Sequence, residues 1–295
     1  MKLFSLGEDE DMPRISAVIP VHNRFEFLHE TLASVFSQTC PADEVLIVDD
    51  CSSVPVEQFL AGNPPPGPVT VLRTDKPRNP GGARNWGWRH AKGDLIAFND
   101  SDDLWEPDKT RLQSDYLAAH PDVDGVYGPM LAFFPDGHTQ PWAHDRPPVV
   151  DAATGLLDAN LTSPTLMIRR RALEALDGFD ETLPILEDQV FAIEVGLKGL
   201  RVVFLDSPVV ARVRRNDRNT SGNARRYFLC ACRIALRYRR LSARLYGPGS
   251  VLVHLGRAIR QYGDRLRFMV RPTRLIAACL SMLAPFSRMP RERVY

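Results

Sequence analysis

The strongest constraint on the fold is a regular alternation of short apolar runs and amphipathic stretches. Because apolar side chains fill each run instead of alternating with polar ones, the runs are predicted to be strands buried on both faces. They cover residues 15–20, 44–50, 69–73 and 94–98. The stretches that follow them are predicted to be helices over residues 24–39, 56–60 and 106–120, and over residues 81–93 a glycine loop that leads into a helix. Four strand–helix repeats with short connections predict an α/β fold with a mostly parallel sheet flanked by helices.

The pattern is less regular after residue 121. The stretch 171–180 predicts a short helix that ends near Gly178. The stretch 186–199 predicts an amphipathic helix with acids in its first turn. From Arg225 onward the sequence is typical of two or three basic helices. Further strands are predicted within residues 124–137, 163–170, 200–206 and 208–213.

Charge is divided unevenly along the chain. The 295 residues carry 37 Lys and Arg against 36 Asp and Glu, a net charge of +1. Residues 1–200 hold 16 basic and 32 acidic residues, whereas residues 201–295 hold 21 Arg and 4 acidic residues. We therefore predict an α/β domain over residues 1–222 and a basic helical C-terminal extension over residues 223–295 that faces an anionic partner.

The extension leaves three kinds of contact open. Helices that combine Arg clusters with apolar faces lie in the interface of an anionic membrane. The same helices could pack on the acidic domain or form a homodimer contact. No nucleic-acid-binding motif accompanies the arginines, so nucleic acid is not expected as a partner.

Cysteine usage and hydropathy favour a cytoplasmic protein. Five cysteines, an odd number without metal-binding spacing, are typical of free thiols in a reducing compartment. The first 14 residues are acidic and lack the apolar core of a signal peptide. No run of 18 apolar residues is present, so a spanning helix is not expected. A peripheral place on the inner face of the cell membrane would follow if the extension binds lipid.

Carboxylates follow two of the predicted strands at the point where each strand ends. Asp49 and Asp50 close the second run, and Asp100, Ser101 and Asp102 follow the fourth. In an open parallel sheet these positions share the edge where ligands bind. Residues two apart on extended chain point to the same side, so Asp100 and Asp102 would converge on a cation such as Mg²⁺ or Mn²⁺. The alternative is that Asp103 caps a helix that begins near Trp105 and that the other acids are solvated.

Three other motifs allow both a structural and a functional interpretation. Asp49 and Asp50 could form an Asx turn, or accept hydrogen bonds from a base or ribose. The sequence "GGARN" could simply make a turn, or bring backbone amides and Arg84 toward phosphates. Glu187 and Asp188 could simply stabilise the dipole at the start of a helix, or they could take part in catalysis.

Together the motifs resemble the family 2 glycosyltransferases. The segments "ISAVIPVHNR", "SVFSQT", "EVLIVDDCSS", "GGARNWG", "GDLIAFNDSDDLWEP", "GFDETLPILEDQVF" and "VRRNDRNTS" occur in the order and spacing of that family, over about residues 14–221. The resemblance implies the GT-A fold, a Rossmann-like sheet that binds a nucleotide-diphospho-sugar donor. It also implies dependence on Mn²⁺ or Mg²⁺.

The resemblance further implies a role for each matched position. Asp188 would be the catalytic base. Asp100 and Asp102 would bind the metal ion, with Asp102 as its closest contact. The donor would be bound by residues from four of the motifs: Pro20, Val21, Asn23, Arg24, Asp49, Asp50, Gly82, Arg84, Asn85, Asp100 and Ser101.

The implied reaction is a single displacement that inverts the anomeric carbon. Ionised Asp188 would take the proton of an acceptor hydroxyl as it attacks C1, and the cation would stabilise the leaving nucleoside diphosphate. A UDP donor is the usual one in the family. The acceptor would be a glycan or a lipid-linked sugar in cell-envelope polysaccharide or glycolipid synthesis.

Two departures from the family pattern leave other functions open. Cys51 stands where Gly is frequent, and Asn216 stands where many members carry a His near the diphosphate. Arg214 or Arg215 could supply the missing positive charge. The alternatives are a non-catalytic nucleotide-sugar-binding protein and a nucleotidyltransferase, although the glycine-rich phosphate loop typical of the latter is not found near the first strand.

Overall fold

The computed structural model describes residues 13–141, 147–157, 161–215, 224–247 and 249–250. Asn216 and the part of the extension beyond residue 250 lie outside the described residues. The strands are β1 (Ile15–Val21), β2 (Glu44–Asp49), β3 (Thr70–Arg73), β4 (Leu95–Phe98), β5 (Leu104–Trp105), β6 (Gly125–Tyr127), β7 (Met130–Phe133), β8 (Thr139–Pro141), β9 (Met167–Arg169), β10 (Val202–Phe204) and β11 (Ala211–Arg214). The α-helices are α1 (Leu28–Phe36), α2 (Val56–Gly62), α3 (Asn79–His90), α4 (Lys109–Ala119), α5 (Ala152–Leu157), α6 (Arg170–Leu176), α7 (Glu187–Leu197), α8 (Ala224–Arg237) and α9 (Arg239–Tyr246).

A seven-stranded sheet forms the centre of the molecule, in the order β10-β6-β9-β4-β1-β2-β3. β1 pairs in parallel with β2 and β4, β2 with β3, and β6 with β10. β9 is antiparallel to both of its neighbours, β4 and β6. The predicted α/β architecture with a mostly parallel sheet is confirmed.

The single strand predicted within residues 124–137 was wrong, because the segment supplies two strands to two sheets. β6 belongs to the central sheet, whereas β7 belongs to a four-stranded sheet of order β5-β11-β7-β8. Gly128 and Pro129 separate them, and proline has no N–H to continue a ladder. The Pro129 carbonyl instead accepts from the Val210 amide at 2.8 Å. The chain thereby turns into the second sheet, which lies beside the loop after β4.

Helices cover both faces of the central sheet. On one face, Val18 and Ile96 pack in a cluster with Trp88 of α3 and Phe191 of α7. On the other face, apolar residues of β1, β2 and β4 pack in a second cluster with α1 and α4. At Gly87 an added Cβ would lie 2.4 Å from Val18 Cγ1, so α3 approaches β1 more closely than any side chain would permit. This close packing fixes the position of the α3 N-terminus over the sheet edge.

The described part of the basic extension packs on the α/β domain. Cys230, Ile234 and Tyr238 of the extension join Ile185 and Val190 in a third apolar cluster. The Tyr238 hydroxyl donates to Glu194 Oε1 of α7 at 2.5 Å. Of the contacts left open by the sequence, packing on the acidic domain is thus present for α8 and α9.

The sequence analysis expected no membrane-spanning helix and free cysteine thiols. Within the described residues, no helix has both the length and the apolar content needed to cross a membrane. The four cysteines of the same part of the chain, at positions 40, 51, 230 and 232, are free thiols.

Candidate functional site

The loops after β2 and β4 flank the end of β1 at one edge of the central sheet. Val21, the last residue of β1, lies opposite Asp49 in the parallel register. The Asp50 amide donates to the Val21 carbonyl at 2.8 Å. On the other side, the Asn99 amide donates to the Val18 carbonyl at 3.1 Å. The two acidic loops are therefore neighbours across β1, as the strand order predicts.

The segment after β1 connects these two loops. Asn23 has a left-handed backbone (φ +56°), which Asn tolerates better than most residues. Its Oδ1 accepts from the Ser53 amide at 2.8 Å and so joins the loop after β2. Arg24 extends the other way, with Nη1 3.6 Å from Asp102 Oδ2. Pro20 is only partly buried at the same strand end.

Asp49 and Asp50 are both buried, but they have different surroundings. The Asp49 carboxylate is inaccessible to solvent and accepts from Arg73 Nη1 at 2.5 Å and from the Ser52 amide at 2.8 Å. Asp50 Oδ1 accepts from Thr74 Oγ1 at 3.0 Å and from the Arg78 amide at 2.8 Å. Asp49 thus stabilises its own turn, whereas Asp50 ties the loop after β2 to the segment that leads into α3.

Asp100 and Asp102 lie together in the loop after β4, and their charges are incompletely compensated. Asp100 accepts from Ser163 Oγ at 3.2 Å, and about a third of its side chain is exposed. Burial raises the pKa of Asp102, and repulsion by Asp100 raises it further against the opposing effect of Arg24. Burial and the neighbouring Asp100 charge oppose the ionisation of Asp102, so positive charge is stabilising at this place.

Arg84 of α3 links this loop to the start of α7. Its side chain is 5% exposed, and Nη2 donates to Asp100 Oδ1 at 2.6 Å while Nη1 donates to Glu187 Oε1 at 2.6 Å. Burial on its own would lower the pKa of Arg84, but the two carboxylates raise it above the ordinary value. A permanently charged guanidinium therefore holds the acids of two distant segments in one cluster.

Asp188 opens α7 next to Glu187, after Leu186 in a left-handed conformation (φ +66°). Part of its surface meets solvent, yet the surrounding protein atoms desolvate the carboxyl and, with the Glu187 charge, raise its pKa to about 7. The Asp100 carboxylate also raises the pKa of Asp188. The first turn of α7 therefore lies within electrostatic range of the loop after β4.

Gly82 and Asn85 shape the N-terminal part of α3. A Cβ at Gly82 would lie 2.8 Å from Arg78 Cβ, so the turn that opens α3 has little room for a side chain. Asn85 is buried, and its Nδ2 donates at 2.9 Å to the Phe179 carbonyl and at 2.9 Å to Glu181 Oε1. Asn85 acts from within the protein, by fastening α3 to the loop that precedes α7.

The site contains residues that sequence reasoning did not single out as partners. Ser163 donates to Asp100, Glu187 accepts from Arg84, and Asp103 is buried in the loop after β4. Burial and the charges of its two acidic neighbours raise the pKa of Asp103 well above its usual range, and its Oδ1 accepts from the Arg214 amide at 2.7 Å. The sequence signal for Asp103 was a further carboxylate directly after Asp102, but no local pattern indicated its partner 111 residues away.

Arg214 places a guanidinium beside the loop after β4. Its Nε donates to the Asp102 carbonyl at 3.0 Å, and Nη2 donates to Glu30 Oε2 at 2.6 Å. The guanidinium lies over the rings of Phe27 and Phe133, 3.8 and 4.5 Å from their centroids. A cation is thus fixed beside the acidic loop, irrespective of the residue at position 216.

The acidic loop fits a hard divalent cation in its donor chemistry. Within the described residues, no group of three or more His, Cys, Asp or Glu side chains is placed to hold a metal ion by itself. Asp100 and Asp102 offer carboxylate oxygens, the ligands that Mg²⁺ and Mn²⁺ prefer, and their mutual repulsion would be relieved by a cation. Two protein ligands leave the remaining positions for water and ligand oxygens.

Comparison with known proteins gives a consistent family match. The sequence model described as "Glycosyl transferase family 2" matches residues 16–177, more than half of the chain. The succinoglycan biosynthesis protein ExoW of Rhizobium meliloti is 32% identical over 223 residues, which cover 68% of this chain and 69% of that protein. Other curated relatives are matched over smaller shares of their length, 61% in one and 17% in another.

Solved structures resemble the chain over nearly its whole length. Residues 1–349 of TarS from Staphylococcus aureus, in complex with UDP-GlcNAc, superpose with a TM-score of 0.65 at 20% identity and cover 92% of this chain and 80% of that one. The mannosyltransferase PcManGT of Pyrobaculum calidifontis, in complex with GDP-Man and Mn²⁺, superposes with a TM-score of 0.59 at 22% identity, covering 93% and 82%. At these identities the likeness concerns the fold.

Proposed function

The chain belongs to glycosyl transferase family 2 and has the GT-A fold, and from this premise we propose that it is an inverting, metal-dependent glycosyltransferase. It transfers a sugar from a nucleotide-diphosphate donor, with UDP as the nucleotide, to an acceptor hydroxyl. One observation carries the proposal: Arg84 bonds Asp100 and Glu187 at 2.6 Å each. The acids after β4 and the acids that open α7 therefore form one site, with Asp188 beside the link.

The donor lies along the sheet edge in this proposal. Asn23 and Arg24, after Pro20 and Val21, line the nucleoside, and Asp50 closes the pocket from the loop after β2. Asp49 and Asn85 contribute from inside the protein, because their polar atoms bind other parts of the chain. Gly82 and Ser101 border the diphosphate, and Arg214 adds positive charge near it.

Asp100 and Asp102 would hold Mn²⁺ or Mg²⁺, with Asp102 as the nearer ligand. The ion, when bound, neutralises charge on the diphosphate as the bond to the sugar breaks. Support comes from the repulsion between the carboxyls of the loop, which raises the pKa of Asp102, and from a structural neighbour that was solved with GDP-Man and Mn²⁺. Arg84 keeps Asp100 in place from the opposite side of the loop.

Asp188 is the proposed catalytic base. A carboxyl whose pKa is raised to about 7 is a stronger base than an ordinary aspartate, while about half of it is still ionised near neutral pH. In its ionised form it accepts the proton of the acceptor hydroxyl, whose oxygen bonds to C1 as the diphosphate leaves from the opposite face. One displacement of this kind inverts the anomeric centre.

The acceptor is proposed to be a glycan or lipid-linked sugar in cell-envelope polysaccharide or glycolipid synthesis. The supporting relatives carry such names: a succinoglycan biosynthesis protein, and a poly(ribitol-phosphate) β-N-acetylglucosaminyltransferase of Staphylococcus aureus at 28% identity over 199 residues. A UDP donor is favoured because a neighbour of the same fold was solved with UDP-GlcNAc.

The test is Asp188→Asn, which keeps the size of the side chain and removes its basicity. Nucleotide release from a panel of UDP-, GDP- and dTDP-sugars in the presence of Mn²⁺ should fall by about 10²- to 10⁴-fold, the usual contribution of a general base. Nucleotide affinity measured by calorimetry should be unchanged. Asp115→Asn, the same substitution at an exposed position of α4, is the matched control and should retain turnover. Undiminished turnover in Asp188→Asn would remove Asp188 as the base.

A further inference from the structure

A stripe of alternating arginine and leucine runs along the outer side of α8 and into α9. Arg226, Leu229, Arg233, Leu236 and Arg240 follow one another at spacings of three, four, three and four residues, which place them on one helical face. All five are exposed, with 52% of Leu229 and 56% of Leu236 accessible. We call these five residues the Arg–Leu stripe.

The opposite side of α8 fixes the stripe in an outward orientation. Cys230, Ile234 and Tyr238 are buried in the cluster shared with α7. The Tyr238 amide donates to the Ile234 carbonyl at 3.0 Å, and the Ser242 amide donates to the Tyr238 carbonyl at 2.8 Å, so the helical path continues from α8 into α9. The stripe therefore faces away from the α/β domain.

The charge of this surface is of one sign. Residues 224–246 contain seven Arg and no Lys, Asp or Glu. Arg237, which lies beside the stripe, is paired with Asp180 and Glu194 of the domain. In contrast, Arg233 and Arg240 have no carboxylate partner among the described residues. Leu229 and Leu236 lie between such arginines with about half of each side chain exposed, and neither belongs to the apolar cluster shared with α7.

We propose that the Arg–Leu stripe docks the enzyme on the surface of an anionic lipid bilayer. The arginines bind lipid phosphates, and their long aliphatic stems let Leu229 and Leu236 enter the boundary between headgroups and acyl chains. A bilayer fits both residue types of the stripe. Its phosphates bind the guanidinium groups, and its apolar layer removes the leucines from water. The proposal goes beyond the transferase activity and does not depend on it.

Other occupants of the stripe are disfavoured by the same chemistry. Residues 251–295 carry nine Arg against one Asp and one Glu, so this segment would repel the stripe. A second copy in a two-fold symmetric dimer would place arginine against arginine. Single-stranded nucleic acid binds aromatic platforms between basic groups, whereas the stripe has leucine at those positions.

The test uses the full chain and sedimentation with phosphatidylcholine vesicles that either contain or lack phosphatidylglycerol. The wild-type protein should sediment with the anionic vesicles and remain in solution with the neutral ones. The double variant Arg233→Gln/Arg240→Gln should bind anionic vesicles about thirtyfold more weakly, since each arginine near such a surface contributes about fivefold. Leu229→Ser/Leu236→Ser should lower the affinity severalfold and leave its salt dependence intact.

Two control variants carry the same substitutions elsewhere on the surface. Arg111→Gln on α4 and Leu197→Ser at the end of α7 change exposed residues outside the stripe and should bind as the wild type does. Wild-type affinity in both stripe variants would assign vesicle binding to residues 251–295 and overturn the proposal. It would equally be overturned if the wild type bound no vesicles, or if sedimentation equilibrium showed that the arginines hold two copies together. Nucleotide release by the stripe variants reports separately on the proposed transferase.

Discussion

The ionisation of one carboxyl, that of Asp188, should set the pH dependence of the reaction. Its pKa is raised to about 7 by burial and by Glu187, so the basic form is lost as pH falls below neutrality. We predict that kcat/KM for the donor rises with pH through a midpoint near 7 and levels off above it. Glu187→Gln removes a repelling charge, and the midpoint should then shift to lower pH. A profile that is flat from acidic to alkaline pH would contradict the assignment.

Arg84 shows which parts of the site could be predicted from the sequence and which could not. The acids at positions 100, 102, 187 and 188 are visible as strand-end and helix-start motifs, because those positions have local signatures. The bond from Arg84 to Glu187 spans 103 residues, and no local pattern encodes it. For Asp49 the Asx turn offered by the sequence agrees with its bond to the Ser52 amide, whereas its ion pair with Arg73 of β3 had no local signal.

At the scale of elements, α8 acts as a brace for the segment that carries Asp188. Arg237 binds Asp180 before α7 and Glu194 within it, while Ile234 is buried against the same helix. Ile234→Ala should lower the free energy of unfolding by about 2 to 5 kcal/mol, through lost burial and the cavity left behind. This corresponds to a fall in melting temperature of roughly 5 to 15 °C.

Leu236→Ala is the matched control for this prediction, two positions along the same helix but 56% exposed. Its melting temperature should stay close to that of the wild type, because surface substitutions change stability by about 0.5 kcal/mol or less. The two variants are compared by differential scanning fluorimetry at one pH and salt concentration. Equal effects of the two substitutions would show that α8 does not brace the domain through Ile234.

Prediction of elements succeeded where a pattern is local and failed where pairing is distant. Buried apolar runs located β1 to β4 within a residue or two, because each run is closed by polar or breaking residues. The helix predicted to follow a glycine loop at residue 81 already starts at Asn79, and its Gly81 packs on the segment before α7, where a Cβ would lie 2.9 Å from the Asp180 carbonyl oxygen. The antiparallel insertion of β9 between β4 and β6 depends on partners far along the chain and had no signal in the sequence.

At the scale of the whole molecule, the acidic and basic parts of the sequence lie in contact with each other. The basic helices pack on the acidic domain through α7, and Arg237 contributes ion pairs to that contact. The Arg–Leu stripe faces away from that contact, so one face of α8 packs on the domain and the other is exposed. The acidity of the domain also bears on the candidate site, because the proposed donor would bring its diphosphate close to Asp100 and Asp102.

Donor binding to the intact protein should therefore require a cation. A nucleoside diphosphate alone is repelled by the loop after β4, whereas an ion held by Asp100 and Asp102 reverses the sign of that interaction. With Mn²⁺ present, UDP at about a hundred times its dissociation constant should stabilise the fold by about 2.7 kcal/mol. The melting temperature should rise by roughly 5 to 11 °C. With EDTA in place of Mn²⁺ the shift should vanish, and in Asp102→Asn it should be smaller even with the metal. An undiminished shift in EDTA would mean that the nucleotide binds without the ion and that these acids serve another purpose.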